Sequence, residues 1–132
     1  MGLNERLLGD LQEAVRKDPE LAVVGKFFTC DLLLGSGERH FLLRFREGDL
    51  AEIIPNPLPV VPWRVAIKAP EETWEKFLQN PPPPEFHDIW AATWLGHMTL
   101  EGDTKVLMQH HLAIWRTLKL LRETASDNFA AA

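Results

Sequence analysis

The chain contains no tyrosine and only one cysteine. It has no run of about 20 apolar residues and no stretch dense in Lys and Arg. Each absence excludes something. Without Tyr, no phenol can serve as a proton or oxyanion donor. A lone Cys30 rules out an internal disulfide and argues against a thiolate zinc site. The missing apolar run excludes a transmembrane helix. The missing basic run, with a net charge of -5, argues against nucleic acid as a partner, because phosphate binding depends on cation density. Met1-Gly2-Leu3-Asn4-Glu5 lacks a charged start followed by an apolar core, so no signal peptide is expected. The expected setting is cytoplasmic. Neither a G-x-S-x-G elbow nor a phosphate loop is present. Gly35-x-Gly37 is followed by no helix and reads as a hairpin turn.

What is there describes an ordinary soluble chain. The 132 residues, 45% hydrophobic and 25% charged, suffice for one core but not two. One domain is expected over residues 1–123, with a frayed tail at 124–132. The five Trp are many for this length. Trp fills cores, but it also stacks on flat or greasy ligands.

Residues 3–17 form an amphipathic helix with Leu3, Leu7, Leu8, Leu11, Ala14 and Val15 on one side. Asp18-Pro19 ends it. Strands are expected at 26–34, 39–46, 50–54, 63–68 and 98–101. In the second, Phe41, Leu43 and Phe45 face one way, and His40, Leu42, Arg44 and Arg46 the other. In the fourth, Trp63, Val65 and Ile67 share a face. Short helices are expected at 70–79 and 86–94, the latter carrying Trp90 and Trp94. The Pro-rich segments 55–62 and 80–84 read as stiff extended loops. The final helix, 103–122, has Asp103 as its N-cap. Its apolar arc of Leu107, Met108, Ile114, Trp115, Leu118 and Leu121 covers roughly half the circumference at about 100° per residue, with His111 near the centre. The whole reads as an α+β fold: one mainly antiparallel five-stranded sheet with helices packed on it.

Four segments carry a family likeness: Phe45-Arg46-Glu47-Gly48-Asp49-Leu50; Val65 through Trp74, a strand leading at once into a Trp-bearing helix; the broken helical stretch from Ala91-Ala92 to Gly96; and Met98-Thr99-Leu100-Glu101-Gly102-Asp103 followed by a long apolar helix. In these motifs and in element order, residues 20–121 resemble the sterol carrier protein 2 family of lipid-binding domains. The resemblance implies an apolar tunnel between sheet and helices that holds an acyl chain, a sterol or a similar ligand.

The expected ligand-binding set is Phe41, Leu43, Phe45, Trp63, Val65, Trp90, Trp94, Met98, Leu100, Leu107, Met108, His111 and Trp115. The Trp and Met residues could line a cavity or pack a solid core. His111 is expected to face inward, as a head-group partner or as a core histidine, and His110 to face solvent. Adjacent helix positions diverge, so the pair is not a metal site. His87, His97 and Asp31 are lesser candidates. Asp31 is either solvated or, if buried, paired with Arg44 or His40. Cys30 reads as a small buried apolar residue. No cofactor or metal is called for. The expected partner is a hydrophobic small molecule or lipid, and a homodimer is open. The rival functions are a small enzyme on an apolar substrate with His111 as acid/base, and an interaction module using a Trp-rich face. Both Pro-rich loops are expected to border the pocket mouth.

Overall fold

The structure, a computed structural model, describes residues 2–131. Helix α1 (Glu5–Lys17) is capped by Asn4, whose side chain accepts from the Leu7 amide at 2.8 Å. It buries Leu7, Leu8, Leu11 and Val15 along one stripe. Asp18 ends α1 and caps α2 (Pro19–Val24), accepting from the Leu21 amide at 2.9 Å. Strands β1 (Cys30–Ser36), β2 (Arg39–Arg46) and β3 (Asp49–Pro55) form an antiparallel meander. A register shift between Arg44 and Phe45 lets Phe45 pair with Leu50 and Arg44 with Glu52. Strand β4 (Val65–Ala69), helix α3 (Glu71–Phe77), helix α4 (Ile89–Trp94) and strand β5 (Thr99–Gly102) follow.

The five strands lie in the order β3-β2-β1-β4-β5. The sheet is mixed rather than mainly antiparallel, because β4 pairs with β1 in parallel. The chain leaves β3 at one edge, passes β2 and β1, and lays β4 beside β1. A parallel neighbour needs such a crossover, and here the Pro-rich segment 56–64 supplies it in place of a helix.

The inner face of the sheet carries Leu32, Leu34, Phe41, Leu43, Phe45, Val65 and Ile67, all in the main core with the helices. The outer face carries a smaller cluster of Leu33, Leu42 and Ala66, covered by Ile54 and Val61. Both faces of β1 are therefore apolar, which is why Leu32-Leu33-Leu34 does not alternate. Asp31 lies on the outer face and is partnered: its carboxylate is 2.9 Å from Arg46 and 3.8 Å from Arg44.

Gly102 ends β5 at φ +100°, and a Cβ there would lie 2.3 Å from the Arg64 carbonyl oxygen. Only glycine makes this turn. Asp103 then caps α5 (Thr104–Gln109), accepting from the Lys105 and Val106 amides at 3.1 and 3.2 Å. The final helix is not continuous. It breaks at His110 (φ -117°, ψ 22°) and resumes as α6 (His111–Ala131). The segment expected to fray stays helical to Ala131, and Ala125 is buried in the main core.

Candidate functional site

The break at His110 resets the helical phase. Wheel angles drawn as though 103–122 were one helix therefore fail on its far side. His110 turns inward and its ring packs on Phe28, centroids 5.3 Å apart. His111 turns out to solvent, and its Nδ1 lies 3.1 Å from the Met108 carbonyl oxygen. The expected roles of the two histidines are exchanged.

The expected ligand residues separate into two groups. Phe41, Leu43, Phe45, Val65, Met98 and Leu107 are buried in the main core, and Leu100 packs against it half-buried. Trp63, Trp90, Trp94, Met108, His111 and Trp115 are exposed. Trp94 is 89% exposed. Trp63 does not share the inner face with Val65. It precedes β4, and the Lys68 ammonium lies 5.7 Å from its ring centroid. Trp74, by contrast, is wholly buried, and its Nε1 donates to the Gly35 carbonyl at 2.8 Å.

Two openings lie along the seam between α6 and the α3–α4 connection. One, of about 190 Å³, is lined by Phe77, His87, Asp88, Ile89, Trp115, Leu118, Lys119 and Arg122. The other, of about 490 Å³, is lined by Glu75, Leu78, Gln79, Asn80, Pro81, Ala125 and Ser126. Of the Pro-rich loop 80–84, Asn80 and Pro81 line the larger opening. The loop 55–62 borders neither, and its Val61 covers the outer sheet face instead.

Arg122 holds this seam together. Its Nε donates to the Phe77 carbonyl at 2.8 Å, Nη1 to His87 at 3.1 Å and Nη2 to Phe86 at 2.9 Å. Its guanidinium lies 4.7 Å from the Phe77 ring centroid. Burial pulls its pKa below that of a free guanidinium, and the Asp88 carboxylate partly opposes this. The Lys119 ammonium sits 5.2 Å from the Trp115 ring centroid. Arg122 and Lys119 were not among the sequence candidates, although a signal was present. In a chain of net charge -5, residues 104–122 contain Lys105, Arg116, Lys119 and Arg122 and no Asp or Glu.

Other chemistry is sparse. The Cys30 thiol is buried, which with the neighbouring Asp31 charge pushes its pKa up to about 11, so it stays protonated at neutral pH. Among the described residues, no three His, Cys, Asp or Glu side chains converge as metal ligands. Nor is any helix among them long and apolar enough to cross a membrane.

The fold is that of the sterol carrier protein 2 domain. A crystal structure of sterol carrier protein 2 superposes with a TM-score of 0.75 at 14% identity, covering 91% of this chain and 96% of that one. A conserved hypothetical protein of Thermus thermophilus, described as possibly a sterol carrier protein, gives 0.71 at 14% identity over 92% of this chain and 87% of its own. The sterol carrier protein domain 2 of Helicoverpa armigera gives 0.55 at 15% identity over 96% and 95%. No family model and no curated protein sequence matches the chain.

Proposed function

We propose that this chain binds a hydrophobic ligand, an acyl chain, a sterol or another lipid, and carries it in the cytoplasm. The ligand enters along the seam between α6 and the α3–α4 connection and lies between the helix layer and the inner face of the sheet. The observation that supports the reading is the pair of openings along that seam. Helix α6 packs closely along α1, while α3 and α4 meet the main core through Trp74, Phe77, Ile89 and Ala92. Two solvent-open pockets lie along the line where they meet α6. The main core it borders includes Phe41, Leu43, Phe45, Val65, Met98 and Leu107, with Leu100 at its margin. Displacing α3 and α4 outward would break the Trp74–Gly35 hydrogen bond and open a largely apolar bed. Burial there supplies affinity at roughly 25 cal/mol per Å² of apolar surface. The likeness to sterol carrier protein 2 supports the same reading.

Native mass spectrometry of freshly purified protein tests it. A bound mass removed by organic extraction, and restored by adding a fatty-acyl or sterol probe, is the expected result. No adduct and no uptake of either probe would contradict it.

Catalysis by His111 loses its basis, because the ring is exposed and its hydrogen bond is to a backbone carbonyl. A second reading has an observation in its favour. Trp94, Leu95, Met108, Leu112 and Trp115 all expose apolar surface on α4–α6, as an interface between copies of the chain would require. Sedimentation velocity across a concentration series measures it. A dimer abolished by Trp94→Ser supports this reading, and a monomer throughout removes it.

A further inference from the structure

Six large apolar side chains reach solvent between positions 90 and 115: Trp90, Trp94, Leu95, Met108, Leu112 and Trp115. Spacing sets most of them in two stripes. Trp90 and Trp94 lie four residues apart on α4, and Leu112, Trp115 and Lys119 follow at intervals of three and four on α6. The two helices meet at the smaller opening, which Ile89 and Trp115 both line. One exposed indole needs no explanation, but three on adjoining helices beside an opening form a patch.

The charge around this patch has one sign. Residues 89–100 contain no Lys, Arg, Asp or Glu, and residues 104–122 contain four cations and no acid. Two of those cations are occupied. Arg116 is bound by Asp18 and Glu20. Arg122 donates to three carbonyls and has Asp88 as a distant counter-charge. Lys105 and Lys119 are exposed, and neither has a carboxylate within salt-bridge distance among the described residues. The acids that flank the segment are engaged. Glu85 lies 3.7 Å from His97, Glu101 3.1 Å from Lys68 and Asp103 3.2 Å from Arg64. Asp88 caps α4, and Glu123 acts on Arg116. Because the whole chain carries a net charge of -5, the rest of the molecule is strongly acidic.

This pattern selects the occupant. A two-fold contact between copies would place both sets of unpaired lysines in one interface, where like charges oppose docking. An anionic bilayer suits both parts of the face. Indole rings settle at the boundary between head groups and acyl chains, and ammonium groups beside them meet lipid phosphates. The acidic remainder is repelled by the same surface, so the α4–α6 face leads the approach.

We propose that the α4–α6 face docks reversibly on an anionic lipid bilayer, with Trp94 and Trp115 in the interfacial layer and Lys105 and Lys119 on lipid phosphates. This goes beyond the hydrophobic-ligand reading and does not depend on it. On docking, the opening lined by Ile89 and Trp115 lies at the bilayer surface.

Cosedimentation of the full chain with vesicles tests it. One set is phosphatidylcholine alone, and the other is phosphatidylcholine mixed with phosphatidylglycerol. Two lysines near the surface predict binding to the anionic set about 10-fold tighter or more, and weakening as salt is raised. Lys105→Glu with Lys119→Glu should remove the preference for the anionic set. Trp94→Ser should weaken binding to both sets several-fold. All three side chains are exposed, so these variants keep the core intact. Val60→Ser, on the outer-face loop and 83% exposed, should leave binding unchanged. Equal binding to the two sets, or none to either, overturns the proposal. Binding that survives both Trp94→Ser and the lysine pair, or that Val60→Ser abolishes, also overturns it by placing contact on another face. No vesicle binding together with a Trp94-dependent dimer assigns the patch to a second copy instead. Vesicle binding by protein that takes up no acyl or sterol probe leaves docking standing and removes the ligand reading.

Discussion

Arg116 and Arg122 stand on the same helix, yet they anchor two different kinds of contact. Arg116 faces the α1–α2 corner and donates to both oxygens of Asp18, at 2.7 and 3.0 Å, with that carboxylate almost wholly buried. The hydrogen bonds from Arg116 hold the Asp18 carboxyl below the usual carboxylate range, against the cost of burial. Around this pair α6 packs closely on α1, and the Asn128 amide reaches Asp10 at 2.8 Å. Arg122 faces the α3–α4 connection, donates to three carbonyls and has the Asp88 carboxylate as a more distant counter-charge. There the contacts are side-chain deep and two pockets open. The first flank is closed by complementary charge and interdigitated leucines. The second is held by hydrogen bonds from one guanidinium to three backbone carbonyls. On the proposed reading, one helix supplies a closed wall on one side and a wall bordered by openings on the other.

This contrast predicts a graded set of effects. Leu11→Ala deletes a wholly buried side chain on the closed flank and should cost about 3 kcal/mol of stability. Urea unfolding measures it. A loss well under 1 kcal/mol would mean that this flank is not the tight one. Asp18→Asn keeps the cap of α2 but removes the charge, and should cost about 2 kcal/mol. The same pair gives a pH dependence. Because the folded pKa of Asp18 is depressed, its contribution is fully present above the unfolded value of about 3.9. It is lost as pH falls through the lower folded value. Wild type should therefore lose more stability than Asp18→Asn between neutral pH and the acid range below about pH 4. Parallel acid titrations that fall together would remove Asp18 from the account. The smallest effect belongs to His111→Leu, which should change stability by less than about 0.5 kcal/mol and leave probe affinity unaltered. A loss of binding there would restore the histidine to the site.

Much of the architecture was legible because its signals are local. Strand β2 is found at Arg39–Arg46, as its strict alternation and flanking turns imply. The amphipathic stripe of α1 and the Gly102-Asp103 junction are equally plain in the sequence. The parallel pairing of β4 was not legible, because a Pro-rich loop that carries the chain across a sheet has no periodic trace of where it lands. The inward turn of His110 was missed for a related reason. One residue with non-helical dihedrals rotates everything after it, and no glycine or proline marks the break. The tryptophans misled because their size suggests interior positions. Trp74 obeys, while Trp94 lies almost wholly in solvent. The cationic side of the seam was legible as charge but not as geometry. Residues 104–122 lack any acid, yet only folding shows that Arg116 is bound directly by carboxylates and Arg122 by backbone carbonyls.

On the proposed reading, ligand enters on the α3–α4 side of α6. Amide hydrogen exchange with and without dodecanoate tests it most directly. Without ligand, amides of α4 should exchange at a lower opening free energy than those of α1. With ligand, protection should rise in Glu71–Phe77, in Ile89–Trp94 and in the facing turns of α6, and stay unchanged in Glu5–Lys17. Protection confined to α1 or to the outer face of the sheet, or none in α3 and α4 at saturating ligand, would contradict it.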